Sequence, residues 1–131
     1  MVRYAASAFG LAIVAAVLVA QTPPVTGDRS SPLRPLGGDN VGISNAVLRN
    51  QPEVRALRVV VDPGGMRVMH EHDDVNFHLF VPISGIMQLD LDGQPSVQIQ
   101  PWHPYFMEGG TQHGFQNRGD EAVEIMEIFV R

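Results

Sequence analysis

The chain has 131 residues, 44% of them hydrophobic and 18% charged, which is close to ordinary globular usage and suits one domain rather than two. Nine basic side chains against fourteen acidic ones give a formal net charge of −5. No basic cluster stands ready to meet phosphates, which argues against a nucleic-acid or anionic-membrane surface. The chain has no cysteine, so its stability must come from its own core, an oligomer or a metal.

Taken in chain order, Arg3 precedes an apolar run over residues 5–20 that stops at Gln21 and is followed by Pro23-Pro24. This reads as a secretory signal peptide over residues 1–20, since the run is shorter than the ~20 residues a spanning helix needs. Cleavage after Ala20 puts Leu18 at −3, where a small residue is preferred, so an uncleaved anchor stands beside it as the alternative. The mature chain is expected outside the cytoplasm, periplasmic or secreted, with no stable membrane partner once the signal is removed. Residues 21–40, QTPPVTGDRSSPLRPLGGDN, are rich in Pro, Gly and Ser and read as a linker or an irregular arm. A folded domain over residues 41–131 follows.

Within that domain no long 3.6-residue period appears, whereas short alternating or β-branched runs recur. Val54 to Val61 is one. Gly85 to Leu91 places Met87, Leu89 and Leu91 on one face, and Ser96 to Gln100 repeats the pattern with Val97 and Ile99. Asp92-Gly93 between them is a hairpin signal. Phe77 to Val81 and Ala122 to Val130 read as further strands, the latter entered by a turn at Asn117-Arg-Gly-Asp120. Many short strands with Gly- and Pro-rich turns predict an all-β antiparallel sandwich or barrel.

Three of the five histidines lie in one stretch, Met69-His70-Glu71-His72-Asp73-Asp74-Val75-Asn76-Phe77-His78. On a strand, His70 and His72 project from one face about 6 to 7 Å apart along the backbone, near enough to converge on one ion. Asp73-Asp74 turns the chain and His78 opens the next strand. His113 follows a Gly-rich turn far along the sequence.

The run Gly64-x5-His70-x-His72-x5-His78-x6-Gly85 resembles the first motif of the cupins, and Gly110-x2-His113-x3-Asn117 resembles the core of the second. The likeness covers Asn50 to Arg131. A weaker likeness, carried by Val54-Arg55, Pro63-Gly64, Met69-His70-x-His72 and His113 to Asn117, points to small cupins associated with beta-alanine degradation. The resemblance implies a small double-stranded β-helix, or jelly-roll, barrel with His70, His72 and His113 as metal ligands. It also implies homodimerisation through the sheets. The sequence departs from the pattern at the family's ligand Glu, whose place is taken by His78 when counted back from Gly85 and by Asn76 when counted forward from His72. His78 is therefore a fourth metal ligand, a general base or a hydrogen-bond partner of the ligands.

Three or four neutral imidazoles suit one divalent transition metal per chain, Fe, Cu, Ni, Co, Mn or Zn, better than Mg or Ca, which prefer oxygen. A lone strand histidine is usually a packed or solvated residue, but His-x-His with a distant Gly-x2-His is far more specific. His103 reads as a loop residue, Glu71 as solvated, Asp73 and Asp74 as turn formers and Asn117 as a structural residue. Met69, Met87, Met107 and Phe115 read as core. The expected function is an exported metal-dependent enzyme, dioxygenase-like, with a small-molecule substrate. A non-catalytic binding module and a metal-free barrel are the competing readings.

Overall fold

The computed structural model describes residues 31–131; the proposed signal peptide lies outside the described residues. Those residues form nine strands and no helix: β1 (Arg34–Pro35), β2 (Val41–Asn50), β3 (Val54–His70), β4 (Phe77–Ser84), β5 (Met87–Leu91), β6 (Val97–Ile99), β7 (Tyr105–Glu108), β8 (His113–Gln116) and β9 (Val123–Val130). All strand pairs are antiparallel, and the sheet runs β6-β5-β8-β3-β9-β4-β7, with β2 on β3 and β1 on β2.

That order forces the sheet to curl. In a flat sheet β6 and β7, six steps apart at about 4.8 Å each, would lie ~29 Å apart. The chain between Ile99 and Tyr105 spans six residue steps, at most ~22 Å when fully extended. The two ends therefore bend toward one another, and Ile99, Tyr105, Phe80 and Leu89 share one hydrophobic cluster inside the barrel. Alternation supplies that core: β9 buries Val123, Ile125, Glu127 and Phe129, and β4 buries His78, Phe80 and Pro82.

The runs expected over 54–61, 77–81, 85–91, 96–100 and 122–130 are all strands, and Asp92-Gly93 is a turn with Gly93 at φ +68°. Strand β3 is far longer than its alternating run because Asp62-Pro63-Gly64-Gly65 makes a bulge instead of a turn. Two steps on β2, Val41 to Ile43, face five on β3, Val61 to Met66. Gly64 sits at φ +74°, and a Cβ at Gly65 would come within 2.8 Å of the Asp62 and Gly42 carbonyls, so both positions require glycine. Beyond the bulge β3 changes neighbours: residues 54–61 lie between β2 and β9, while Met66 to His70 pairs with β8.

Part of the 21–40 arm also belongs to the barrel wall. Arg34 and Pro35 pair with Asn45 and Ser44, the Leu36 amide donates to Ile43 at 2.9 Å, and Leu36 packs on the core. Met87, Met107 and Phe115 are buried as expected. Met69 is 45% exposed; it lies beside the inward-facing His70 and turns to the outer face of the strand.

Asn117 fastens the bulge. Fully buried, its Nδ2 donates to the carbonyls of Val61, Asp62 and Glu121 at 3.0, 3.1 and 2.7 Å, and its Oδ1 accepts the Gly119 amide at 2.9 Å. Its backbone amide donates to Gly65, and its carbonyl accepts the Gly64 amide. Removing this side chain strands several buried polar groups. Asn117→Ala is expected to lower unfolding free energy by about 3 kcal/mol, read from denaturant titration, against less than ~0.5 kcal/mol for Gln98→Ala on the exposed face of β6.

Candidate metal site and its cavity

The barrel brings all four candidate histidines together. His70, the last residue of β3, pairs directly with His113, the first of β8. His72 follows in the turn, and β4 returns with His78 opposite Phe129 of β9. Ring centroids lie 4.3 Å apart for His70 and His113, 4.9 Å for His70 and His72, 5.0 Å for His78 and His113, and 5.2 Å for His72 and His78. Donor nitrogens of His70, His72 and His113 fall within 4.8 Å of one another. His78 is not in that set; its ring stacks on Phe129 at 4.4 Å and 17°. Asn76, the other candidate for the family's Glu position, is exposed, whereas His78 is 1% exposed. Glu71 and His103 are exposed as well, and Asp73-Asp74 is a turn. That turn is clamped by Gly109, whose amide donates to Asn76 and where a Cβ would overlap the Val75 carbonyl oxygen.

Hydrogen bonding fixes the tautomers of two rings. Nδ1 of His70 lies 2.9 Å from the Val68 carbonyl and Nδ1 of His113 lies 2.8 Å from that of Thr111. A carbonyl only accepts, so both Nδ1 atoms carry the proton and both Nε2 atoms present lone pairs. Nε2 of His72, Nε2 of His113 and both nitrogens of His78 are buried without a hydrogen-bond partner. Burial, reinforced by the neighbouring His113, lowers His70 and His72 to about 4 and His78 to about 2, and burial lowers His113 as well. Near neutral pH the cluster is an array of uncharged imidazoles whose inward nitrogens lack partners. A divalent transition ion is the group such a donor set fits.

Beside the histidines lies a cavity of about 200 Å³, below the roughly 300–1,000 Å³ of drug-sized pockets, so it is sized for a small molecule. His70, His72, Phe115 and Phe129 form part of its wall, and Arg55, Arg67, Glu127 and Asn45 give it polar groups that the histidine motifs do not disclose. Arg67 and His70 are three residues apart and would face opposite ways on a regular strand. A bulge between them turns both to the cavity. Asn40 of the arm accepts from Nη1 of Arg67 at 2.9 Å and from the Val68 amide at 3.2 Å. The Arg55 guanidinium stands 4.5 Å from the Phe129 ring centroid. Burial raises Glu127 to about 7, although Arg67 and Arg55 pull it down. The signal for these residues was parity: Arg55 shares a face with Leu57, Val59 and Val61, and Glu127 shares one with Val123, Ile125 and Phe129.

Residues 57–129 match the cupin domain family, more than half of the chain. The chain belongs to the cupin family. Solved structures similar to this cupin include KdgF from Halomonas sp. at 17% identity and TM-score 0.68, covering 84% of this chain and 96% of that one. The polyketide cyclase RemF from Streptomyces resistomycificus matches at 17% identity and TM-score 0.70, covering 84% and 80%. A predicted oxalate decarboxylase from Thermotoga maritima matches at 20% identity and TM-score 0.62, covering 67% and 79%. At these identities they share the fold. No curated protein matches the sequence of this cupin.

The shifted histidines set how metal-free stability depends on pH. Unfolded, they take up protons near 6.5; folded, His70 and His72 do so only near 4 and His78 near 2. Between 6.5 and 4 the unfolded chain binds more protons, so acidification favours it. Glu127 opposes this, since its folded pKa of about 7 exceeds 4.5 and its contribution is lost as pH rises through 7. Several histidines outweigh one carboxylate. The melting temperature measured in chelator is expected to fall steadily as pH is lowered from 6.5 toward 4; a rise would show that Glu127 dominates.

Proposed function

We propose that this cupin is an exported metal-dependent enzyme, a dioxygenase-like oxidoreductase acting on a small organic molecule. The observation that carries the reading is the convergence of three neutral histidines, His72 and His113 with buried Nε2 atoms that lack a partner among the described residues, beside a small cavity whose wall includes His70 and His72. His70, His72 and His113 would hold one divalent transition metal. When bound, such an ion offers open positions to a chelating substrate and dioxygen, or acts as a Lewis acid. The polyketide cyclase and predicted oxalate decarboxylase among its structural neighbours indicate that barrels of this shape serve small-molecule chemistry. Export rests on the apolar run over residues 5–20.

The chain's own residues divide the remaining work. Nδ1–H bonds to Val68 and Thr111 orient His70 and His113. Phe115 and Phe129 keep water from the cavity wall. His78 carries one N–H and one lone pair, both buried and without a partner among the described residues; as a neutral ring it would relay a proton beside His72 and His113, donating from one nitrogen as it accepts at the other.

Elemental analysis of untagged protein tests this. The wild type is expected to hold about one Fe, Cu, Ni, Co, Mn or Zn per chain, and His70→Ala and His113→Ala to lose it. His78→Ala is expected to keep the metal while losing ~10²-fold or more of the turnover found in a screen of small acids, thiols and phenols. Loss of metal in His78→Ala would make that residue a fourth ligand. Metal retained with no oxygen consumption or turnover would leave a binding module, and no metal after reconstitution would overturn the reading.

A further inference from the structure

We propose that Arg55 and Arg67 form a carboxylate-anchoring subsite beside the histidines, so that the molecule this cavity takes is a small monocarboxylic acid. This deepens the reading of a small-molecule site at the histidine cluster and rests on it for the location of the reacting end.

Two guanidinium groups line the cavity, and one carboxylate, Glu127, shares it with them. Two guanidinium groups against one carboxylate leave the cavity with an excess positive charge even with Glu127 ionised. Among the described residues the ion pairs within 4 Å are Arg58–Glu124 and Arg131–Asp74, and neither includes Arg55, Arg67 or Glu127. Nε of Arg55 is buried with no hydrogen-bond partner among the described residues. A buried cationic donor without a partner is costly, and an anion entering the cavity would supply one.

The shape of the donors selects the anion. A guanidinium presents N–H groups in a planar fork that matches a carboxylate bidentately. Asn40 engages Nη1 of Arg67, which steadies the side chain, and among the described residues its other side-chain donors make no hydrogen bond. Phe129 lies under the Arg55 guanidinium and limits its rotation. Glu127 on the same wall opposes a second negative charge, so a dianion such as phosphate is disfavoured against a monoanion. His70 and His72 line the cavity too, which places the rest of a small acid against the metal-binding end.

Equilibrium binding of propionate and its uncharged isostere propionamide to the full-length protein, by calorimetry at pH 7.5 in chelator, tests the subsite without any metal. Propionate is expected to bind and propionamide at least 10-fold more weakly. Arg55→Gln and Arg67→Gln should each weaken propionate at least 10-fold, Arg67→Lys should lose less than Arg67→Gln, and Arg58→Gln on the outer face should change nothing. Circular dichroism on each variant confirms folding; should either glutamine variant unfold, Arg55→Lys and Arg67→Lys carry the comparison. Equal binding of propionamide, unchanged affinity in folded Arg55→Gln and Arg67→Gln, or inorganic phosphate competing as well as propionate would overturn the proposal. Metal content measured on the same preparations before chelator is added separates the two readings. Metal without propionate binding sinks the subsite alone, and propionate binding without metal sinks the metal-dependent enzyme alone.

Discussion

Strand β3 supplies the cavity from both sides of its bulge at Asp62–Gly65, and that bulge requires glycine at both 64 and 65. Before it, Arg55, Leu57 and Val59 face inward between β2 and β9; after it, Arg67 and His70 face inward against β8. A straight strand of 17 residues would extend nearly 60 Å at about 3.3 Å per residue, far beyond one side of so small a barrel. The bulge lets a single strand bend round the core, and the Asn117 side chain bonds Val61 and Asp62 on one side of it and the β8–β9 turn on the other. Because β8 begins at His113, the same bonds hold that histidine in register with His70. The second-motif asparagine thus stabilises the site without touching it.

The histidines repay this rigidity with strain of a different kind. Four imidazoles, five of whose six ring pairs have centroids 4.3 to 5.5 Å apart, cannot all be protonated, and burial already disfavours the charged form. What remains is neutral rings with lone pairs turned to one another, an arrangement that hydrogen bonding within the chain satisfies only at the Nδ1 atoms of His70 and His113. Such a cluster is poor at stabilising a fold and well suited to receiving a cation. Its dryness is the same property that lowers the pKa values.

Much of this was legible from alternation and spacing. His70-x-His72, His78 and His113 were found by motif, and the strands around Met87 to Leu91 and Val123 to Val130 by their two-residue period. Strand β2 escaped because Gly42, Ser44, Asn45 and Asn50 dilute its apolar residues, and the second half of β3 because Pro63-Gly64-Gly65 has the composition of a turn. Four-residue β8 contains Gly114, chosen because a Cβ there would crowd the Arg67 carbonyl and Met69, and so it offers almost no pattern. Arg67 could not be assigned to the cavity at all, since a bulge between it and His70 reverses its parity. Arg55 and Glu127 were assignable, as charges on otherwise apolar faces.

Those two charges show the difference between the faces of one sheet. Outside, Arg58 of β3 meets Glu124 of β9 in a solvated ion pair, where water bears most of the solvation and the contact contributes less than about 1 kcal/mol. Inside, the same two strands carry Arg55 and Glu127 into a low-dielectric cavity without closing a pair between them. If stability alone governed these positions, apolar residues of similar volume would serve at least as well, because desolvating charges costs several kcal/mol per ion. Three charged groups retained in so small a volume, next to histidines that lack partners, violate the ordinary rule for a core in one place only. Local violations of that kind fall where a chain binds something other than itself. The separation of Arg55 from Glu127 matters as much as their presence: a closed pair would have consumed the donors of Arg55, whereas the open arrangement leaves them, with Arg67, facing whatever enters.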